Sequence, residues 1–147
     1  MIEYIPMTLA HVSQVAELEC ICFSDPWSET SIASELDNRL SLWLVAVDGE
    51  RVAGYVGSQS VMGWADMMNI AVHPDYRRQG IAYELVERLV AALQENDVTC
   101  LTLEVRASNA PAKALYEKQG FQQVGLRPNY YRNPKEDALI LRKEWSN

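Results

Sequence analysis

What this chain lacks narrows its possibilities first. No apolar run approaches the roughly 20 residues needed to span a membrane. The opening Met1-Ile2-Glu3-Tyr4 has no basic region followed by an apolar core, so no secretory signal is visible and a cytoplasmic location is expected. Cysteine is scarce and odd in number, at three. Cys20-x-Cys22 falls inside an apparent amphipathic helix with no matching second pair, which argues against zinc; no metal is expected, and free thiols are. There are two histidines, His11 and His73, and neither shows a partner pattern; His73 reads as a turn residue rather than a base. Positive charge is in deficit, giving a net charge of −7, which argues against direct nucleic-acid binding and for a basic partner. The phosphate-binding patterns GxxxxGK[ST] and GxGxxG are both absent. There is no internal repeat, linker or low-complexity segment.

What remains is 147 residues, 48% of them hydrophobic and 22% charged, enough for one domain over 1–147 with its own core and too few for two. Ile2 to Pro6 reads as a first strand. Thr8 is a candidate cap for a helix carrying Leu9, Val12, Val15, Ala16, Leu18 and Glu19 towards Cys22 or Phe23. Ser24-Asp25-Pro26-Trp27-Ser28 breaks that pattern, and Ser28 or Thr30 would cap a second helix through Leu36. Leu42 to Val47, then Asp48-Gly49, then Arg51 to Val61 read as a hairpin. Gly54 and Gly57 inside its second strand mark a bulge or a close approach. After Gly63, Trp64 to Val72 completes an antiparallel meander. Thr99 to Val105 alternates, with Leu101, Leu103 and Val105 on one side and Thr102, Glu104 and Arg106 on the other. Asn109 is a plausible N-cap with Pro111 in the first turn, and Gly120 stops that helix. Gln122 to Leu126 and Ala138 to Arg142 look like two last strands, joined through a loop holding Tyr130 and Tyr131.

The stretch that organises the chain lies between the meander and the alternating strand. Asn69-Ile70-Ala71-Val72 ends a strand, and Pro74 stops it because proline cannot donate to a ladder. After Gly80, Ile81, Leu85, Val86, Leu89, Val90 and Leu93 form one helical stripe. A loop carrying Arg77, Arg78 and Gly80 therefore feeds directly into a helix N-terminus, where unpaired backbone N–H groups and the helix dipole favour an anion. Gly80 lets a bulky phosphate approach the backbone, and the two arginines add forked donors. A crossover of this length favours parallel pairing of the strands on either side. Ligands of such sheets tend to sit outside the carboxyl ends of the parallel strands.

Arg77-x-x-Gly80-x-Ala82 resembles the pyrophosphate loop of GNAT-type N-acetyltransferases, [Q/R]-x-x-G-x-[G/A]. Leu103-Glu104-Val105-Arg106-Ala107-Ser108-Asn109 and Ala114-Leu115-Tyr116-Glu117-Lys118-Gln119-Gly120-Phe121 are similar to later parts of the same family. With Asn129-Tyr130-Tyr131 they resemble, more narrowly, its RimI-type group, which acetylates the N-terminal alanine of a small-subunit ribosomal protein. The resemblance implies an α/β fold. It would be a mixed, mostly antiparallel sheet of six to seven strands with about four helices and a splayed parallel pair at its centre. It also implies acetyl-CoA as co-substrate. Ile70, Ala71 and Val72 would offer backbone groups to the pantetheine arm. Arg77, Arg78, Gln79, Gly80, Ile81, Ala82 and Tyr83 would cradle the pyrophosphate, and Asn109 would hydrogen-bond the arm. Glu104 falls on the family's base position and Tyr116 on its acid position. The loop around Trp27 would lie beside the acceptor, where Trp27 is either a substrate wall or a core anchor. Tyr130 and Tyr131 would bracket a peptide end. Ala82 stands where glycine is commoner, and Tyr83 where many relatives have a small or basic residue. No cysteine is placed as a covalent carrier, so direct attack in a ternary complex is expected. An acetyltransferase for a lysine or a small amine, or a non-catalytic acyl-CoA-binding scaffold, are the alternatives.

Overall fold

The computed structural model describes residues 1–145. Seven strands form one sheet: β1 Ile2–Pro6, β2 Ser41–Asp48, β3 Arg51–Val61, β4 Trp64–Val72, β5 Cys100–Arg106, β6 Gln122–Tyr131 and β7 Glu136–Glu144, in the order β1-β2-β3-β4-β5-β7-β6. Every neighbouring pair is antiparallel except β4 and β5. The meander and the parallel crossover are as the sequence predicts. Four α-helices cover the two faces: α1 Val12–Cys22, α2 Glu29–Glu35, α3 Ile81–Glu95 and α4 Ala110–Lys118.

Each face has its own core. On one, the α1 residues Val12, Val15 and Leu18 and Ile32 of α2 pack on Trp43, Val45, Val47 and Tyr55. On the other, Ile81, Leu85, Val86, Leu89, Val90 and Leu93 of α3 meet Leu44, Ala46, Val56, Leu101 and Leu103, with Tyr116 and Phe121 beside them. Those six α3 residues are the stripe read from the sequence, and all six are buried. Burying each such side chain contributes about 1.5–3 kcal/mol, so the helix that starts at the basic loop is among the best-anchored parts of the molecule.

Caps follow the local chemistry. The Ser28 hydroxyl accepts from Ser31 N at 3.1 Å and the Asn109 side chain accepts from Ala112 N at 3.2 Å, each satisfying a first-turn donor. Thr8 is the N-cap the sequence suggests, but the turn it caps, Leu9–His11, is a 3-10 turn that runs directly into α1. His11 Nδ1 accepts from Thr8 N at 2.9 Å and tightens that entry. A second difference concerns β6. Tyr130 and Tyr131 lie on this strand rather than in a loop, and the chain turns after them through a cis Asn133–Pro134 bond. The sequence ends this strand at Leu126, yet Asn129 (φ 54°) N donates to Asp137 Oδ1 at 2.8 Å and pairing resumes at Tyr131 with Glu136. The irregular register between Arg127 and Tyr131 absorbs the misfit.

The feature that shapes the site is a bulge in β4. Gly57 pairs with Asn69 and Ser58 with Met67, leaving Met68 as the extra residue. An inserted residue reverses which side chains face which side. Before the bulge, Ala65 and Met67 face the α3 core; after it, Ile70 and Val72 do, while Met68 and Ala71 pack on the α1 side. Just before the bulge β4 also parts from β5. The two strands pair only at Trp64–Cys100, Ala65–Leu101 and Asp66–Thr102. Beyond that, β4 stays with β3 as far as Val72–Gly54, and β5 stays with β7 as far as Arg106–Ala138. The result is an open V, with a strand edge on each side.

Candidate active site

The V and the basic loop adjoin. His73 Nδ1 accepts from Asp75 N at 3.1 Å, making His73 the turn residue that the sequence suggests. Arg78 (φ 64°) and Gly80 (φ 77°) both lie in the left-handed region. Turns of this kind gather backbone N–H groups into anion-binding concavities. The first helical bond of α3 is Glu84 N to Gly80 O at 3.0 Å, which leaves the N–H groups of Ile81, Ala82 and Tyr83 above it. The Ile81 side chain is buried, so a ligand would meet its backbone only. Arg78, Gln79 and Gly80 are exposed. Arg77 is exposed too, but its guanidinium is engaged: its Nε donates to Val72 O at 3.2 Å and its Nη2 to Cys22 Sγ at 3.6 Å. It therefore ties the loop to the end of β4 and to α1. The Tyr83 phenol is raised above its usual pKa, chiefly by its hydrogen bond to Glu87. Asn109 spends its oxygen on the α4 cap, leaving its amide group for a ligand. Ile70 N donates to Asn69 Oδ1 at 3.2 Å.

Glu104, Tyr116 and Tyr131 come together at the open V. Glu104 faces away from the core that holds Leu103 and Val105. Burial raises its carboxyl above the ordinary range; the Arg127 guanidinium, 3.7 Å from Oε1, opposes this, and the nearby charge of Asp66 adds to it. Tyr116 is 5% exposed, and burial pushes its phenol up to about 12. It is therefore protonated at neutral pH and able to give a proton. Its hydroxyl has no hydrogen-bond partner among the described residues. Tyr131 is also pushed up to about 12, first by burial, with the charges of Glu104 and the phenol of Tyr116 both contributing. Arg106 lies over the Tyr131 ring at 4.4 Å. Arg127 and Tyr131 were not readable as neighbours of Glu104, since the sequence ends their strand at Leu126 and it runs on to Tyr131. If Glu104 is the group that must be ionised, the acid limb of the kcat/KM profile reports it. Replacing Arg127 by Gln removes the cation that favours the carboxylate, so that limb moves to higher pH; Asp66→Asn moves it to lower pH. Profiles of the two variants over pH 5 to 9 check both signs.

The third part is the turn between α1 and α2. Trp27 is half-buried, with its ring edge-on to Trp43 at 5.5 Å, so it both anchors this loop and lines its surface. Its backbone N–H donates to Glu19 Oε1 at 2.8 Å. Glu19 was readable only as a member of the α1 stripe. The signal it carried was a carboxylate occupying a position that the helical period assigns to the core.

A family model described as the acetyltransferase (GNAT) family matches residues 12–121, spanning the loop, the V and both Glu104 and Tyr116. This chain belongs to the GNAT acetyltransferase family. Its GNAT relatives match over most of their length. A Bacillus subtilis (strain 168) protein is 41% identical over 136 residues, covering 92% of this chain and 90% of its own. The [ribosomal protein bS18]-alanine N-acetyltransferase of Escherichia coli (strain K12) is 43% identical over 118 residues, 79% of each chain. The crystal structure of the ribosomal-protein-S18-alanine N-acetyltransferase from Escherichia coli superposes with a TM-score of 0.92 at 36% identity, covering 100% of this chain and 96% of that one. The splayed parallel pair expected from the resemblance is thus part of a GNAT fold. As a member of this family the chain is an N-acetyltransferase with acetyl-CoA as donor.

Proposed function

We propose that residues 1–147 act as one N-α-acetyltransferase domain that moves acetyl from acetyl-CoA to the N-terminal alanine amine of ribosomal protein bS18. The observation that carries the acceptor is the similarity, over most of both chains, to proteins named for that reaction. A cytoplasmic location fits such an acceptor, and among the described residues no helix is long and apolar enough to cross a membrane.

In this reading the pantetheine arm lies in the V against Ile70, Ala71 and Val72, and the pyrophosphate rests on backbone N–H groups from Arg77 to Tyr83, with Asn109 alongside the arm. Arg78 supplies the freer guanidinium, because Arg77 braces the loop. Glu104 takes a proton from the acceptor ammonium, directly or through a water. The neutral nitrogen attacks the thioester carbon and the C–N bond forms. A backbone N–H near Val72 stabilises the charge growing on the carbonyl oxygen. The C–S bond then breaks, Tyr116 gives its proton to the leaving sulfur, and the second proton lost by the acylated nitrogen restores the phenol, leaving a neutral amide. Tyr130 and Tyr131 bracket the end of the incoming peptide.

The test is transfer from acetyl-CoA to peptides that begin with alanine, with the same peptides blocked at the N-terminus, an internal-lysine peptide and free polyamines beside them, and the acetyl group located by mass spectrometry. Acetylation confined to the free alanine amine is expected. Preference for the lysine or polyamine acceptors would overturn the acceptor and keep the family.

A further inference from the structure

Two carboxylates are buried on the α1–α2 side of the sheet, and the reaction above uses neither. Glu35 is 8% exposed and Glu19 is 0% exposed. Burying a carboxylate is costly unless donors converge on it. Both have three, but they are arranged differently. In Glu35 one oxygen, Oε1, accepts all three, from Ser41 Oγ at 3.0 Å, Trp43 Nε1 at 3.2 Å and Gln59 Nε2 at 2.8 Å. In Glu19 both oxygens are engaged. Oε1 accepts from the backbone N–H of Trp27 at 2.8 Å. Oε2 accepts from the Tyr55 hydroxyl and from Asn69 Nδ2, the latter at 2.6 Å. Burial and the adjoining Glu19 charge raise the Tyr55 phenol far above its usual value, so it stays a donor at any working pH.

These three donors come from three separate walls. Trp27 is on the acceptor-side turn. Tyr55 is on β3, in the middle of the sheet. Asn69 is the first residue after the Met68 bulge, where β4 has left β5 and the cofactor edge begins. Asn69 also accepts from Ile70 N, the first of the backbone groups assigned to the pantetheine arm. One carboxylate therefore joins the acceptor wall to the donor wall through two hydrogen bonds, across a transfer that tolerates little misplacement; an error of about 1 Å between reacting groups costs roughly a hundredfold.

We infer that Glu19 is a positioning residue for acetyl transfer, holding the Trp27 turn in register with β4 at the mouth of the V. This rests on the acceptor reading proposed above. The two-oxygen arrangement makes a sharp prediction. In Glu19→Gln only one oxygen remains. It serves the Tyr55 and Asn69 donors, and the new NH2 group opposes the Trp27 N–H, which frees the turn. In Glu35→Gln the amide oxygen keeps all three donors, so this variant is the control for loss of a buried charge.

The experiment is a double-mutant cycle on kcat/KM for an alanine-initiated peptide, using Glu19→Gln, Trp27→Ala and the pair, with Glu35→Gln in parallel and the acetyl-CoA Kd measured throughout. Glu19→Gln is expected to lower kcat/KM for the acceptor by about tenfold or more in the native background and by less than about threefold when Trp27 is already alanine, a coupling typical of groups acting as one unit. The acetyl-CoA Kd should stay within about threefold, as expected when only uniform donor binding is spared. Glu35→Gln should leave the acceptor value within about threefold. Equal losses in both backgrounds, or an equal loss in Glu35→Gln, would mean that Glu19 only supports folding and would overturn the inference. Should Glu19→Gln not fold, Asn69→Ala cuts the other end of the same tether, and the same non-additivity with Trp27→Ala is required. Failure of the acceptor reading is separate, because the unaltered protein would then not acetylate the alanine peptide at all.

Discussion

Glu104→Gln should lower kcat for acetyl transfer by about a hundredfold or more at pH 7, the usual worth of a positioned acid–base group. The substitution keeps volume and shape. Glu104 sits on a strand whose backbone pairs with Ile140 and whose neighbours Leu103 and Val105 are buried, so the fold does not depend on its charge. The acetyl-CoA Kd should stay within about threefold, because Glu104 is not among the groups assigned to the cofactor. The defect should shrink as pH rises through about 8, where an α-amine is already neutral and needs no base. That last feature separates two roles. A glutamate that merely attracted the ammonium would raise the acceptor KM and leave kcat alone. Tyr116→Phe should also lower kcat, without the relief at high pH, because it removes the proton given to sulfur rather than the one taken from nitrogen. Steady-state kinetics of both variants from pH 6 to 9 make the comparison. Losses of less than about threefold in kcat for each would remove both residues from the chemistry.

The sequence was most legible where one short stretch determines one structure. The six-residue stripe of α3 needs only a period of 3.6, and every member is buried. Asn109 with Pro111 two residues on needs only the chemistry of a helix start, and the cap bond is there. Parallel pairing of β4 and β5 follows from the length of the crossover between them. Legibility failed where the structure depends on distant partners. Nothing on β4 around Met68 announces a bulge; the signal lay on the neighbouring strand, where Gly57 marked a bulge or a close approach and the structure has both, the register shift against β4 and the Trp43 ring. The strand read as ending at Leu126 runs on to Tyr131, because pairing with β7 and the Asp137 carboxylate carry the chain past Pro128 and Asn129. The site divides the same way. Glu104 and Tyr116 are proposed from their positions in motifs that the family resemblance supplies. Arg127 and Tyr131 tune or flank them from a strand that looked like a loop, and Glu19 acts through donors 8, 36 and 50 residues away.

Gly57→Ala should be the most damaging small substitution in the sheet, costing about 3 kcal/mol, at the upper end of what overpacking a core usually costs. A Cβ at this position would lie 2.3 Å from Trp43 Cε2 and 2.4 Å from Cδ2, deep inside the indole ring. The ring has nowhere to retreat. It is 4% exposed, stacked on Tyr55 at 5.9 Å, edge-on to Trp27 at 5.5 Å, and pinned by its Nε1 donating to Glu35. The strand cannot retreat either, since Gly57 pairs with Trp43 on one side and Asn69 on the other. For a chain of this size that cost lowers Tm by roughly 6–12 °C, which calorimetry or a thermal melt would read. A methyl group on the surface would cost almost nothing, so the size of the loss tests whether the indole lies where it is described. Trp43→Leu would also destabilise, by opening a cavity. Combined with Gly57→Ala it should cost less than the two single losses added, because the new methyl group then occupies space the indole has left. Simple additivity would mean that the strain falls on the backbone rather than on the ring. The same clash should reach function. Trp43 is the surface against which Trp27 rests, so in Gly57→Ala the acceptor KM should rise even at temperatures where the protein is fully folded.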